Sequence, residues 1–452
     1  MQSFDIIVIG AGSGLNISST AAERGMRVAV VEKGPMGGTC LNRGCIPSKI
    51  LIESADVAEL IKMAKNFGIN ARISSIDFKR ITGRASSIVD KDAKGIEQGI
   101  VEDKNTTLFK AEGRFIGERT LKVGSETITG EKVIIAAGTR ALIPQIEGLK
   151  EVDYITSDEA LRLKKQPKEL TIMGGGYIAA ELAHFFGSLG TKINIIQRSR
   201  LLVPNEDEEL AAKFTEIFKK KFNVLTEFDA AKVSKKGNKF IVTAQGKTAK
   251  KKLVSDQLLV ATGRVPNTDI LDVAKSNVEV NDKGFIKTND YLETTANNIW
   301  ALGDIAGKYL FKHSANLEAQ YVYNNAILNQ KLKVDYTAMP HAIFSSPQVA
   351  GVGLREQDLK GQTNYAVGKY LYKNTGMGLA IQDNQGFAKI FADKSTRKIL
   401  GCHILGTDAS TLIHEVIVAM KAGLTVDAVR EAVHIHPALS EVVQRAVNSI
   451  VW

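Results

Sequence analysis

The sequence predicts an α/β fold with two Rossmann-like nucleotide-binding units and a smaller C-terminal α/β domain, and three observations carry that prediction. A glycine-rich turn between an apolar strand and a helix opens the chain at residues 4–24. The same order of elements returns at residues 170–196. Late in the chain, apolar runs at 366–372 and 386–392 are separated by the turn residues Asn374, Gly376, Asp383 and Asn384, the pattern of an antiparallel sheet. A length of 452 residues with 44% apolar content exceeds one ordinary core and suffices for about three domains.

In the first unit, residues 4–10 read as a buried parallel strand. Gly10-Ala11-Gly12-Ser13-Gly14 forms the turn, a helix runs to Arg24, and a second strand at Val28–Val31 ends in Glu32. Glycines let the backbone approach a pyrophosphate at a helix N-terminus, where unpaired N–H groups and the dipole favour negative charge; Glu32 is placed to accept from a ribose. The third position of the G-x-G-x-x-G pattern falls on Leu15, which predicts looser helix–strand packing there.

Next comes Gly37-Gly38-Thr39-Cys40-Leu41-Asn42-Arg43-Gly44-Cys45-Ile46-Pro47-Ser48-Lys49, which holds two of only three cysteines. A bridge across so short a loop restricts the unfolded chain little, so it suits exchange better than stapling. Two buried thiols or half a zinc site are the alternatives. Zinc would need further ligands at short spacing, and Cys402 with His403 lies far away, so no metal site is expected. Helical residues from 49 to 99 would frame the pair.

The second unit pairs a strand at 170–173 with Gly174-Gly175-Gly176-Tyr177-Ile178-Ala179-Ala180-Glu181, a helix to Leu189 and a strand at 192–196. No acid ends that strand. Gln197, Arg198, Ser199 and Arg200 follow instead, and arginine suits the extra phosphate of NADPH where an acid would suit NADH; a solvated basic turn is the alternative. Two nucleotide sites beside a dithiol suggest a relay of two electrons from a nicotinamide through a flavin to the cysteine pair.

With these motifs stand Ile134-Ile135-Ala136-Ala137-Gly138-Thr139, Leu259-Val260-Ala261-Thr262-Gly263-Arg264, Trp300-Ala301-Leu302-Gly303-Asp304 and His434-Ile435-His436-Pro437-Ala438-Leu439-Ser440-Glu441. Over essentially its whole length the chain resembles the class I pyridine nucleotide-disulfide oxidoreductases, which include dihydrolipoyl dehydrogenase and glutathione, mycothione and mercuric reductases. The resemblance implies a glutathione reductase-like fold whose last domain dimerises. It divides the chain into an FAD-binding domain with the redox disulfide (1–144), an NAD(P)-binding domain (145–264), a central segment completing the FAD site (265–336) and an interface domain (337–452).

The resemblance also implies roles. Cys45 would face the flavin as a thiolate and Cys40 would exchange with substrate. Lys49 and Glu181 would pair beside the flavin, and His436, held by Glu441, would reach in from the partner subunit as the base, making the active form a homodimer. FAD would be held by Gly10, Gly12, Gly14, Glu32, Lys33, Gly38, Thr39, Gly113, Ala137, Gly138, Thr139, Gly303, Asp304, His313 and Ala315. NAD or NADP would be held by Gly174, Gly176, Arg198, Arg200 and Gly263, with Tyr177 as an aromatic gate over the nicotinamide pocket. His434 reads as an interface residue.

On substrate, the segment from Cys40 to Lys49 is most similar to dihydrolipoyl dehydrogenases, which makes dihydrolipoamide, or the lipoyl domain of a 2-oxo acid dehydrogenase complex, the expected partner. Tyr177 and Arg198 lean toward NADPH-driven reduction of a small disulfide. Leu15, Asn16 and Lys312-His313-Ser314-Ala315-Asn316 resemble mycothione reductase. Glutathione is disfavoured because Ser18, Ser19 and Thr20 stand where that branch uses arginine, and mercury because Val451 and Trp452 end the chain without a cysteine pair. A flavoprotein used as a subunit or sensor without turnover has no need of so complete a set.

The net charge of +10 is uneven: residues 190–252 hold 15 Lys and Arg against 7 Asp and Glu, with runs at Lys219-Lys220-Lys221 and Lys250-Lys251-Lys252. These would gather nucleotide phosphates, bind an acidic partner or simply be solvated. No motif supports nucleic-acid binding, and no segment reads as a membrane span. A strand starting at Phe4 leaves no room for a targeting peptide, and reduced thiols fit the cytoplasm.

Overall fold

The computed structural model describes residues 1–452. Its first sheet is built on Val28–Val31, four consecutive buried positions, the continuous apolar run of a parallel strand covered on both faces. The order is Thr106–Phe109, Val28–Val31, Gln2–Ile9, Glu126–Ile135, Thr120–Val123, Gly113–Gly117, and Ile299–Ala301 joins the C-terminal half of Glu126–Ile135 in parallel. That late strand delivers Gly303 and Asp304 to the carboxyl ends of the first sheet, the edge where open α/β sheets bind ligands.

The second sheet orders Asn223–Thr226, Lys192–Gln197, Glu169–Met173 and Gln257–Val260, all parallel, beside a three-stranded antiparallel sheet of Phe228–Lys236, Lys239–Gly246 and Lys250–Ser255. The helices Cys45–Met63 and Tyr177–Ser188 share one core, in which Leu51, Ala55 and Ala58 meet Ala179, Leu182, Ala183 and Phe186. Small residues on both faces allow close approach, and this packing sets the distance between the cysteine segment and the second nucleotide unit.

The last sheet is antiparallel, as the apolar runs predict, in the order Pro340–Ile343, Gln348–Gly353, Ile399–Gly406, Phe387–Asp393, Tyr365–Leu371. His414–Lys421 and Glu441–Asn448 cover it through Val416, Val442, Val443 and Ala446. No helix is long and apolar enough to cross a membrane.

One packing expectation fails. Leu15 does not loosen the first turn, because Gly14 itself supplies the close contact: a Cβ there would meet Gly10 O at 2.7 Å and Val8 Cγ1 at 2.8 Å. The glycine that lets helix and strand touch has moved one position earlier than the pattern places it.

Candidate active site

Both nucleotide units turn on the same device. Gly10 and Gly174 have φ of +102° and +108°, and a Cβ would strike Ala136 O at 2.4 Å in the first and Ala261 O at 2.2 Å in the second. Only glycine tolerates that conformation against a crossing carbonyl. The following glycines, Gly12 and Gly176, face open space, with only Gly38 Cα at 3.9 Å from a Cβ on Gly12 and nothing within 4 Å at Gly176. Each leaves a cradle at a helix start, Leu15–Glu23 and Tyr177–Ser188, whose first turn carries no acid.

One cleft of about 1070 Å³ connects the two units. Glu32, Lys33, Gly38, Thr39, Gly113, Ala137, Gly138, Thr139, Gly303, Asp304 and Ala315 line its first part; Tyr177, Arg198 and Gly263 line its second. Glu32 is aimed by the Ala11 N–H at 3.0 Å and the Gly34 N–H at 2.7 Å, which both donate to its carboxylate. Asp304 accepts from Thr139 Oγ1 at 2.9 Å, and burial pushes its carboxyl above the usual range, so a further donor from a ligand would be welcome. The glycine cradle, the strand-end acid and the buried acceptor fit FAD in the first part, and Arg198 fits a nicotinamide nucleotide in the second.

Between these parts lies the cysteine pair. Helix Gly38–Arg43 stops at Gly44, where a Cβ would lie 2.9 Å from Thr39 O, and Cys45 begins helix Cys45–Met63. Both cysteines are free thiols with partial exposure. They are not equivalent. Cys40 donates to Cys45, which with burial pushes the Cys40 thiol far up. Accepting that bond, with the Lys49 charge nearby, lowers Cys45 from 9.0 to about 7 against the opposing effect of burial. Lys49 Nζ lies 2.9 Å from each carboxylate oxygen of Glu181, which also accepts from the Phe344 N–H at 3.0 Å.

His436 stands apart from the cleft within one chain. Its Nδ1 lies 3.0 Å from Glu441 Oε1, and Glu441 is itself buried and held below the usual carboxylate range by that hydrogen bond. The imidazole is 73% exposed, and its neighbours Val433 and Ile435 are 100% and 78% exposed, an apolar approach with nothing of its own chain over it. His434 differs: its ring is buried against Glu415 at 2.9 Å.

Several expected ligands lie elsewhere. Arg200 turns to Glu208 at 2.6 Å, outside the cleft. His313 stacks on Phe311 with centroids 5.2 Å apart and bonds Pro340 O at 2.8 Å, also outside it. Gly14 is buried beneath the turn as packing and does not face the cleft. Neither lysine run lines the cleft: Lys220 pairs with Glu216 at 2.6 Å, Lys221 donates to Ser346 O at 2.9 Å, and Lys250–Ser255 presents its lysines on an outer strand.

Sequence reasoning singled out Lys312 only for its likeness to mycothione reductase and gave it no place beside the cysteines; its Nζ donates to Ser13 Oγ at 2.9 Å close to both, and burial lowers its basicity. Also missed were the surroundings of Tyr177, whose hydroxyl donates to Glu206 and whose ring forms a three-membered aromatic cluster with Phe311 and His341, all centroids 6.1 to 6.3 Å apart. Burial opposes ionisation of Glu206, but bonds from His341 and Tyr177 prevail and hold its carboxyl low. No sequence pattern links residues 177, 206 and 341.

Residues 4–326 match the family model described as pyridine nucleotide-disulphide oxidoreductase, and residues 339–447 match its dimerisation domain. The chain is 35% identical over 468 residues to mycothione reductase of Mycobacterium tuberculosis, covering 99% of both proteins. It is 32% identical to dihydrolipoyl dehydrogenase of Bacillus subtilis, covering 98% of this chain and 95% of that protein. Among solved structures, the HOCl-induced flavoprotein disulfide reductase RclA from Escherichia coli superposes with a TM-score of 0.88 at 28% identity, covering 99% of each chain.

Proposed function

The chain belongs to the pyridine nucleotide-disulphide oxidoreductase family, an FAD-dependent, NAD(P)-binding group of disulfide oxidoreductases with a dimerisation domain, and from that premise we propose that it reduces a low-mass disulfide at the expense of NADPH. The observation that carries the coenzyme choice is Arg198, which lines the second part of the cleft at the end of Lys192–Gln197, where no acid stands to meet a free ribose hydroxyl. Dihydrolipoamide oxidation is the second reading, favoured by the cysteine segment and by the similarity to dihydrolipoyl dehydrogenase.

Chemistry on the substrate follows from the inequality of the two thiols. The proton of the reduced pair resides on Cys40, so Cys40 needs a base before it attacks. His436 of the partner subunit takes that proton, oriented by a Glu441–His436 contact like the one seen here. Cys40 Sγ then attacks one substrate sulfur; the S–S bond breaks, and the departing thiolate recovers the proton. The Cys45 thiolate attacks Cys40 Sγ next, breaking the mixed disulfide and closing the Cys40–Cys45 disulfide, and the second product leaves as a thiolate that takes its proton from solvent. Bound FAD supplies the two-electron transfer by which NADPH restores the dithiol. Lys49 and Glu181 fix the charge balance beside Cys45 throughout.

The test is NADPH oxidation by the FAD-loaded protein across a panel of low-mass disulfides, run beside NAD-dependent oxidation of dihydrolipoamide. Turnover with NADPH on a disulfide, and little with dihydrolipoamide, supports the first reading. Fast NAD turnover on dihydrolipoamide would replace it with the second.

A further inference from the structure

His341, Gly351 and His403 are direct register partners across three adjacent antiparallel strands, so both imidazoles stand on one face with only a glycine between them. A Cβ on Gly351 would lie 2.6 Å from His341 Nε2 and 2.7 Å from His403 Nδ1: both ring nitrogens converge on the space that the missing side chain leaves. Glu206 enters from the loop preceding helix Glu208–Lys221 and places Oε2 2.7 Å from His341 Nε2. The three donor atoms all lie within 4.8 Å of one another. Glu206 and His403 are fully buried.

The tautomer of His403 is fixed. Its Nε2 is paired with the backbone carbonyl of Leu354 at 2.9 Å, so that nitrogen carries the proton and Nδ1 presents a bare lone pair. That Nδ1 is buried with no hydrogen-bond partner. A buried acceptor left unmatched is costly, and an ordinary Glu206–His341 pair does nothing to satisfy it. An imidazole anchored through one nitrogen to a backbone carbonyl, with the other aimed at a neighbouring imidazole and a carboxylate, is the arrangement that supports a metal-bound histidine.

We propose that Glu206, His341 and His403 form a binding site for a divalent cation of the Zn²⁺ class. Two imidazole nitrogens and one carboxylate oxygen, without thiolate, suit Zn²⁺ and its late first-row neighbours, and leave a fourth position open; Mg²⁺ and Ca²⁺ prefer oxygen ligands. Tetrahedral ligation needs donors about 3.3 Å apart; Glu206 Oε2 and His341 Nε2 stand 2.7 Å apart and all three donors lie within 4.8 Å, so a bound ion would part the first two. The adjacent carboxylates offer a contrast. Asp207 and Glu209 already surround the Lys389 ammonium at 3.1 and 3.0 Å, so that cluster has its cation. Because the other Glu206 oxygen holds the Tyr177 hydroxyl, a bound ion would brace the ring that lines the second nucleotide cleft.

The experiment uses the oxidised FAD holoenzyme, whose bridged cysteines offer no thiolate, stripped with a chelator and titrated calorimetrically with Zn²⁺. One Zn²⁺ per chain is expected, with no comparable Mg²⁺ binding, and with affinity reduced more than about tenfold in His341→Ala and in His403→Gln but retained in His436→Ala. Co²⁺ in the unmutated protein is expected to give the visible absorption of a four- or five-coordinate nitrogen–oxygen site, a readout independent of whether the variants fold. Absence of a one-per-chain site in the oxidised protein, or unchanged affinity in folded His341→Ala, overturns the proposal.

Discussion

Lys49 and Glu181 meet across two helices with the ammonium 2.9 Å from both carboxylate oxygens, although 132 residues separate them in sequence. Glu181 is only 13% exposed and Lys49 35%, so the pair has given up much of its hydration. Such pairs rarely stabilise a fold more than apolar residues of the same volume would. Its contribution is better sought in Cys45, one helical turn from Lys49, whose thiol the ammonium helps to hold as a thiolate.

The thiolate of the reduced enzyme should therefore follow the ionisation of Cys45. With its pKa lowered from 9.0 to about 7, the thiolate is present above that value and is lost as pH falls through it. Replacing Lys49 with Met removes a favourable charge, so the transition should move to higher pH. The pH dependence of thiolate absorbance in the reduced holoenzyme, wild type against Lys49→Met, measures this. An unmoved transition would remove Lys49 from the role.

Arg198 and Arg200 should behave differently despite their proximity in sequence. Arg198→Ala should raise KM for NADPH by about tenfold or more while leaving KM for NADH little changed, since a charge-assisted phosphate contact is lost. Arg200→Ala should change neither, because its guanidinium is committed to Glu208. Steady-state kinetics with both coenzymes decides the matter, and equal effects of the two variants would count against the assignment.

Gly174→Ala should separate the two nucleotide sites. Forcing a Cβ at φ +108° against Ala261 O costs on the order of 1–3 kcal/mol locally and disturbs the second turn alone. Retained FAD absorbance with lost binding of the nicotinamide nucleotide is the expected outcome. Loss of FAD from this variant would mean that the two units are not independent.

The glycine turns were legible because positive φ beside a crossing carbonyl is a local demand that only Gly10 and Gly174 can meet. The strand at Val28–Val31 was legible because four consecutive apolar residues suit a parallel strand buried on both faces, while the order of strands in the sheets came only from the fold. What escaped depends on side-chain direction or on long-range pairing. Nothing in Arg198-Ser199-Arg200 says which guanidinium Glu208 will capture. The Gly14 contact was hidden because the pattern assigns close packing to the next position. Glu206, His341 and His403 come from separate segments, and only the register of three strands brings the histidines together.

That each reducing centre is shared by two chains is tested most directly with mixed dimers. His436→Ala should fold and dimerise yet lose disulfide exchange by about 10²- to 10⁴-fold, the usual worth of a positioned base. Cys40→Ser should be inactive as well. A purified heterodimer of these two inactive chains should recover about half the wild-type rate, because one of its two symmetry-related sites pairs an intact Cys40 with the partner's intact His436. A heterodimer as inactive as its parents would contradict the shared site and place the base within the same chain as the cysteines it serves.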